Sequence, residues 1–338
     1  MLRFVGDINL TDWDFNPGFG IGSQIAQGFD PFSKIKRSKS DIWIGNFEGV
    51  TSEVTNRAGM AAKVFRVSPS SLMKLHHFDY YGLANNHAMQ HGVEAYLQTW
   101  NILQKQGCKV FGKKDCRTIS FTHQGKIVTL TGCCFRIDEF ATDPCYWYNP
   151  EYKDIEKEVS ILPSDAIKVF FVHWGNEFIN RPSSGQKKFA HWLIDAGFDL
   201  IIGMHPHILQ GFEMYAGKYI FYSLGNFVFD MAWEPTHYGA IVNVDLAKEE
   251  PLVTYDYIRI GNDCSPIVVH ETEVPRQIRF DSLNQLVSID DNSEEYHTEI
   301  IRKYKQYRRA NHKDLFKKLL HHPLASAGII QDFIKRKF

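Results

Sequence analysis

No stretch of this 338-residue chain approaches the roughly 18 consecutive apolar residues that a membrane-crossing helix needs. A basic stretch followed by an apolar leader core is also missing, because Leu2-Arg3-Phe4-Val5 already reads as a strand, and the expected compartment is the cytoplasm. The six cysteines contain no C-x-x-C spacing, and the adjacent pair Cys133-Cys134 is badly placed for a local bridge. Free thiols in a reducing compartment are therefore expected rather than a disulfide framework. A Gly-x-Ser-x-Gly turn is absent, which argues against a serine nucleophile. Internal repeats and low-complexity tracts are absent as well.

Net charge is only −1, but it is unevenly spread. From Arg302 onward there are 11 Lys and Arg against 2 acidic residues, which leaves −10 on the preceding 301 residues. The basic tail points to an anionic partner or to self-association, with a solvated helix face as the plainer alternative. The acidic body argues against nucleic acid, since phosphate backbones need basic surface. The chain is long enough for one large domain or two smaller ones, and 44% hydrophobic content is globular.

Strand-like and helix-like segments alternate over the first 230 residues. Ser68-Pro69 predicts a helix start, with the helix ending near His76-His77. Val93 to Gln106, closed by Gly107, and Gln186 to Ala196, closed by Gly197, predict two more. Thr118 to Phe121 and Lys126 to Thr131 read as a hairpin around His123-Gln124-Gly125. Tyr219 to Phe227 reads as one strand entering a polar loop, and Ile241 to Leu246 with Leu252 to Ile260 as a closing hairpin on an outer sheet. The composition changes near Ser265, which divides the chain into 1–265 and 266–338. In the second part Pro266 to Phe280 is extended, and Ser293 to Leu320 is a charged helix with Ile300, Ile301, Tyr304, Tyr307, Leu315, Phe316, Leu319 and Leu320 as contacts, stopped by Pro323.

Five apolar runs end in polar residues of the kind that bind metals. They lead to Gly6-Asp7, Asn46-Phe47-Glu48, Asn85-Asn86-His87, His173-Trp174-Gly175-Asn176-Glu177 and Gly203-Met204-His205-Pro206-His207. Carboxyl ends of parallel strands share one edge, where ligands bind. Pro206 stiffens the turn between two imidazoles, a presentation suited to zinc, iron or manganese. The histidine pairs His76-His77 and His321-His322 lie on helical segments and read as surface residues.

Together with Tyr222-Ser223-Leu224-Gly225-Asn226-Phe227-Val228-Phe229-Asp230, these runs resemble the CapA family of poly-γ-glutamate or polysaccharide capsule synthesis proteins, over about residues 2 to 246. The resemblance implies an α/β fold, a metallophosphoesterase-like α/β/β/α sandwich with a C-terminal helical extension. It implies one or two divalent ions (Mn, Zn, Fe or Mg), with Asp7 bridging and Glu48 as the second carboxylate. Asn86, His173 and His205 would hold one ion and His207 the other. His87 would act with Asp7 in catalysis, reaching the leaving oxygen of the substrate. Asn85, Glu177, Ser223 and Asn226 are assigned to the substrate pocket, although Glu177, like Glu213, also reads as a plain surface charge. Two features depart from the pattern of the fold. Asn9 stands where phosphoesterases carry a histidine ligand, which thins the first metal site, and Gln90 puts a neutral amide behind His87.

Each residue has a plainer reading beside the functional one. Asp7 and Asn86 suit turns, Glu48 an ion pair, and His87 a structural histidine. The expected function is a metal-dependent hydrolase of capsule or exopolymer biosynthesis, acting on a phosphoester or an amide of an acidic polymer. The alternative is a non-catalytic binding or assembly component. Expected partners are an anionic polymer or phosphorylated saccharide, and other capsule-synthesis proteins.

Overall fold

The computed structural model describes residues 1–73, 75, 77–289, 293–321 and 326–327. His76, His322 and Pro323 lie outside the described residues.

Two sheets form the centre. In the first, strand Leu2–Ile8 lies between Ile42–Phe47, which is parallel to it, and Tyr238–Asp245, which is antiparallel. The parallel side continues through Tyr80–Gly82 to Lys109–Phe111, and the antiparallel side through Leu252–Ile260 to Pro266–Val269. The second sheet runs Phe212–Tyr215, Lys218–Phe221, Leu200–Met204, Ile167–His173, Lys126–Cys134 and Thr118–His123, with the middle four parallel.

Pleat alternation explains the layering. Leu2, Phe4, Ile44 and Phe111 of the first sheet meet Val128, Val169, Leu200 and Ile202 of the second in a dry core between the sheets. The outer face of the first sheet buries Ile21, Ile25, Tyr96, Trp100 and Leu103 from helices Ile21–Ala26 and Val93–Lys105. The outer face of the second buries Ile155, Ala190, Leu193 and Ile194 from Tyr152–Ser160 and Ser184–Asp195. The chain is thus the expected α/β/β/α sandwich. Helix Ser184–Asp195 starts on a reciprocal cap, with Gln186 N donating to Ser183 Oγ (3.2 Å) and Ser183 N to Gln186 Oε1 (3.1 Å). It stops at Gly197, whose φ of 114° suits only glycine.

Several element expectations are corrected. The helix after Ser68 is a single turn, Pro69–Leu72, and the Ser68 hydroxyl donates to Glu53 Oε1 (3.0 Å) instead of capping it. The run Tyr219 to Phe227 is two strands, not one: Lys218–Phe221 belongs to the second sheet, while Asn226–Val228 pairs with Leu2–Ile8 in the first. The closing hairpin is not on an outer sheet, since Tyr238–Asp245 lies beside the first strand. Pro266 to Phe280 is extended only over Pro266–Val269, and then turns through Glu271–Glu273 and Arg276–Ile278. Helices Tyr152–Ser160 and Phe280–Val287 have no counterpart in the sequence reading. The chain passes residue 265 without leaving the first sheet, and Phe280 and Leu283 then enter the core between the sheets.

The C-terminal helix, Ser293–His321, buries Tyr296 and Tyr307. Of its expected contacts, Ile301, Tyr304, Phe316 and Leu320 are instead exposed. All six cysteines are free. Among the described residues no helix is long and apolar enough to cross a membrane.

Candidate metal centre

Leu2–Ile8 carries Asp7 inside its last turn of pleat, where the chain of the second sheet crosses over. A Cβ on Gly6 would meet Gly225 O at 1.9 Å, so only glycine permits that crossing. Asp7 is fully buried. Its Oδ1 accepts from Asn46 Nδ2 (2.8 Å) and its Oδ2 from the backbone N of His205 (3.0 Å), a contact that ties one sheet to the other. Glu48 follows immediately after Ile42–Phe47 and is also fully buried.

His173 closes its strand and is paired in register with Met204, which brings it alongside the His205 turn. Its Nε2 lies 2.8 Å from Asn86 Oδ1 and 3.0 Å from His205 Nδ1, while its Nδ1 lies 3.3 Å from Asn46 Nδ2. His205 and His207 both sit at positive φ, 99° and 58°, a strained conformation for residues with a Cβ. The turn is held by Phe178 N, which donates to Pro206 O (2.9 Å). His207 Nε2 faces Glu48 Oε1 at 3.7 Å, and His87 Nε2 faces the same oxygen at 3.8 Å.

The ligand atoms of Asp7, Glu48 and His173 lie within 4.8 Å of one another, as do those of Glu177, His205 and His207. Both carboxylate oxygens of Glu48 and Nε2 of His205 are buried without a hydrogen-bond partner. An unpartnered buried carboxylate is costly unless a cation satisfies it. The donor set of carboxylates, imidazoles and an amide oxygen suits a divalent ion of the Mn, Fe or Zn type.

Electrostatics agree with that fit. Burial pushes Asp7 up to about 7, against the opposing hydrogen bonds from Asn46 and His205. Burial raises Glu48 well above the carboxylate range, and the charges of Asp7 and Glu177 add to the rise. Burial lowers His87 to about 4 and His207 to about 3, and holds His173 and His205 well below the usual imidazole value. The imidazoles are therefore neutral and able to donate lone pairs at pH 7.

Asp7, Glu48, Asn86, His87, His173, His205 and His207 thus share one cleft, and the Glu177 carboxylate lies within 4.8 Å of His205 and His207. Three residues expected in the substrate pocket stand behind it. Asn85 is buried and donates to Asn46 Oδ1 (3.2 Å) and Phe47 O (2.8 Å). The Ser223 hydroxyl donates to Ile208 O (2.8 Å) and accepts from Gly225 N. Asn226 Oδ1 lies 3.0 Å from Nδ1 of His207. All three position the cleft. Asn46 belongs to the Asn46-Phe47-Glu48 run but has no role assigned from sequence, although period-two alternation puts it on the same face as Glu48. Asn9 Oδ1 accepts from the N and Oγ1 of Thr11, so this amide oxygen is already engaged. The cleft opens into a cavity of about 120 Å³ lined by Phe65, His87, Glu177, His207, Tyr304 and Tyr307. Tyr307 is stacked 3.8 Å from Phe178, which lays the C-terminal helix across this opening.

Fold and cleft define an α/β sandwich with a two-part candidate metal centre. The family described as "Bacterial capsule synthesis protein PGA_cap" matches residues 1–231, and the chain belongs to this family. The PGA biosynthesis protein CapA of Bacillus subtilis (strain 168) is 30% identical over 297 residues, covering 83% of this chain and 74% of that protein. The capsule biosynthesis protein CapA of Bacillus anthracis is 35% identical over 182 residues, covering 50% of this chain and 44% of that protein. Among solved structures, the 5'-nucleotidase of Candida albicans SC5314 is similar at a TM-score of 0.47 and 13% identity, over 93% of this chain and 57% of that one.

Proposed function

We propose that the protein is a metal-dependent hydrolase of capsule or exopolymer biosynthesis that acts on a phosphoester. The observation that carries this reading is Glu48, a buried carboxylate with neither oxygen hydrogen-bonded, surrounded by Asp7, His87 and His207. Asp7, Glu48, Asn86 and His173 would hold one divalent ion, and His205, His207 and Glu177 a second. Such ions supply Lewis acidity toward a phosphoryl oxygen and make a bound water more acidic.

The side chains do the remaining work. Asn46 and the His205 backbone N–H fix the Asp7 carboxylate, and Asn226 orients His207. His87 is stacked on Phe65 at 3.8 Å, with its Nδ1 2.7 Å from Gln90 Oε1. That bond puts the ring proton on Nδ1 and turns the Nε2 lone pair into the cleft. The aromatic walls of Phe65 and Tyr307 exclude water around the reacting group.

The substrate class is an anionic polymer or phosphorylated saccharide, the partners are other capsule-synthesis proteins, and the compartment is the cytoplasm. Elemental analysis of protein purified without chelators should find near-stoichiometric metal. Hydrolysis of p-nitrophenyl phosphate should be abolished by His207→Ala, and metal-free protein would overturn the reading. One observation favours a non-catalytic assembly component instead: Asn9, whose amide oxygen is already bonded to Thr11, offers a poor ligand where the fold calls for a histidine. Full metal occupancy without turnover would select that alternative.

A further inference from the structure

Two arginines near the cleft differ from several others of the chain in having no ion-pair partner among the described residues. Arg3, Arg37, Arg117 and Arg181 each pair with a carboxylate. Arg57 and Arg136 have none within 4.0 Å among the described residues.

The topology puts Arg136 at the metal centre. Cys134 is paired in register with His173, and Phe135 N donates to His173 O (2.9 Å), so Arg136 leaves the sheet at the same edge as the histidine. Its Nη1 donates to Gly175 O (2.7 Å) and lies 3.4 Å from Asn176 Oδ1, while its Nε is buried with no partner. Its charge acts on His173, His205 and Glu177.

The same loop reaches the other flank of the cleft. Asp138 accepts from Phe140 N (2.7 Å), Ala141 N (2.9 Å) and Tyr146 OH (2.8 Å), which holds Phe140 rigidly, 6.2 Å ring to ring from His87. The Arg57 guanidinium lies 5.0 Å over the Phe140 ring. This is a cation–π seat that orients the group without neutralising it. One guanidinium thus stands on the His173 side and one on the His87 side, both with donors to spare.

We propose that Arg136 and Arg57 form an anion-recognition pair at the mouth of the cleft, selecting ligands that carry negative charge beyond the group held at the metal centre. The inference rests on the metal-centre reading and assigns the residues that would hold the outlying charges of a polyanion, several bonds from the group at the metal centre. Planar guanidinium forks suit carboxylates, and their charge-assisted bonds are the strong ones.

The test titrates Mn²⁺-loaded protein with triglutamate and with inorganic phosphate by calorimetry. Arg136→Gln should weaken both ligands, and Arg57→Gln only triglutamate, each by about tenfold or more. Arg136→Lys should restore part of the loss, and added salt should weaken triglutamate binding. Mn²⁺ uptake is measured on every variant. Unchanged uptake shows that each variant is folded and keeps the metal reading separate from this one. Triglutamate binding that is undetectable in the wild type, or equal in the wild type and both Gln variants, overturns the proposal even if Mn²⁺ binds normally.

Discussion

Asn226 Oδ1 sits 3.0 Å from Nδ1 of His207, so the ring keeps its proton on Nδ1 and turns a bare Nε2 toward Glu48. The amide is itself immobilised, because its Nδ2 donates to Thr236 O (3.2 Å). Outer groups of this kind set the tautomer and aim of a ligating imidazole. Asn226→Ala should therefore weaken divalent-ion binding by roughly 10- to 100-fold with the fold intact. Calorimetric titration with Mn²⁺, alongside circular dichroism, measures both. An unchanged affinity would remove Asn226 from the account.

Glu48 supports a prediction of opposite signs in two states. Without an ion, its carboxylate is buried next to Asp7 and Glu177, and burial is the main reason its protonation is raised. Glu48→Gln removes the cost of burying or protonating that carboxyl, so the metal-free variant should melt a few degrees above metal-free wild type. In wild type, excess Mn²⁺ should add stability, by about 2.7 kcal/mol at a hundredfold over the dissociation constant. The variant should lose most of that increment. Thermal melts with and without EDTA distinguish the two effects, and a variant less stable in both states contradicts this account.

His77 provides a pH test away from the centre. It is 7% exposed and packed against Phe32 and Trp43, both at 4.9 Å between ring centroids, and burial together with the Arg37 charge lowers its pKa to about 4. The folded state therefore binds fewer protons here than the unfolded chain does. The resulting stability is fully present above about pH 6.5 and is lost as pH falls toward 4. His77→Phe keeps the ring packing and removes the titration. Between pH 7.5 and 4.5 wild type should lose up to about 3 kcal/mol more than the variant by urea unfolding. Parallel losses in both would contradict a neutral buried His77.

Much of the cleft was readable because apolar runs announce strands and the residue after each run announces its end. That logic located Asp7, Glu48, His173 and the His205 turn, and it followed the sandwich through most of the first 230 residues. It failed where a decision depends on a distant neighbour. Nothing local shows that Phe221 and Phe227 belong to different sheets, since the break needs Gly225 at a φ of 66° against the Tyr238 backbone. Sequence alone leaves Glu177 between a substrate contact and a surface charge, because its approach to His205 and His207 depends on the bond from Phe178 N to the distant Pro206 carbonyl. The hydrogen bonds of Asn85 to Asn46 and Phe47, and of Ser223 to Ile208, are likewise set by neighbours that no local pattern reveals. At Pro69 the helix closes only one turn, and the expected Ser68 cap is bonded to the distant Glu53 instead.

The crossing from Lys218–Phe221 to Asn226–Val228 has a mechanical consequence. It stitches the halves of the sandwich together beside Asp7, and the His205 amide adds a second stitch. An ion seated there would draw ligands from both halves and act as a rivet. Any sideways slip of one half against the other would tear the coordination sphere before it disturbed the dry interior, so the cleft reports on the alignment of the whole molecule.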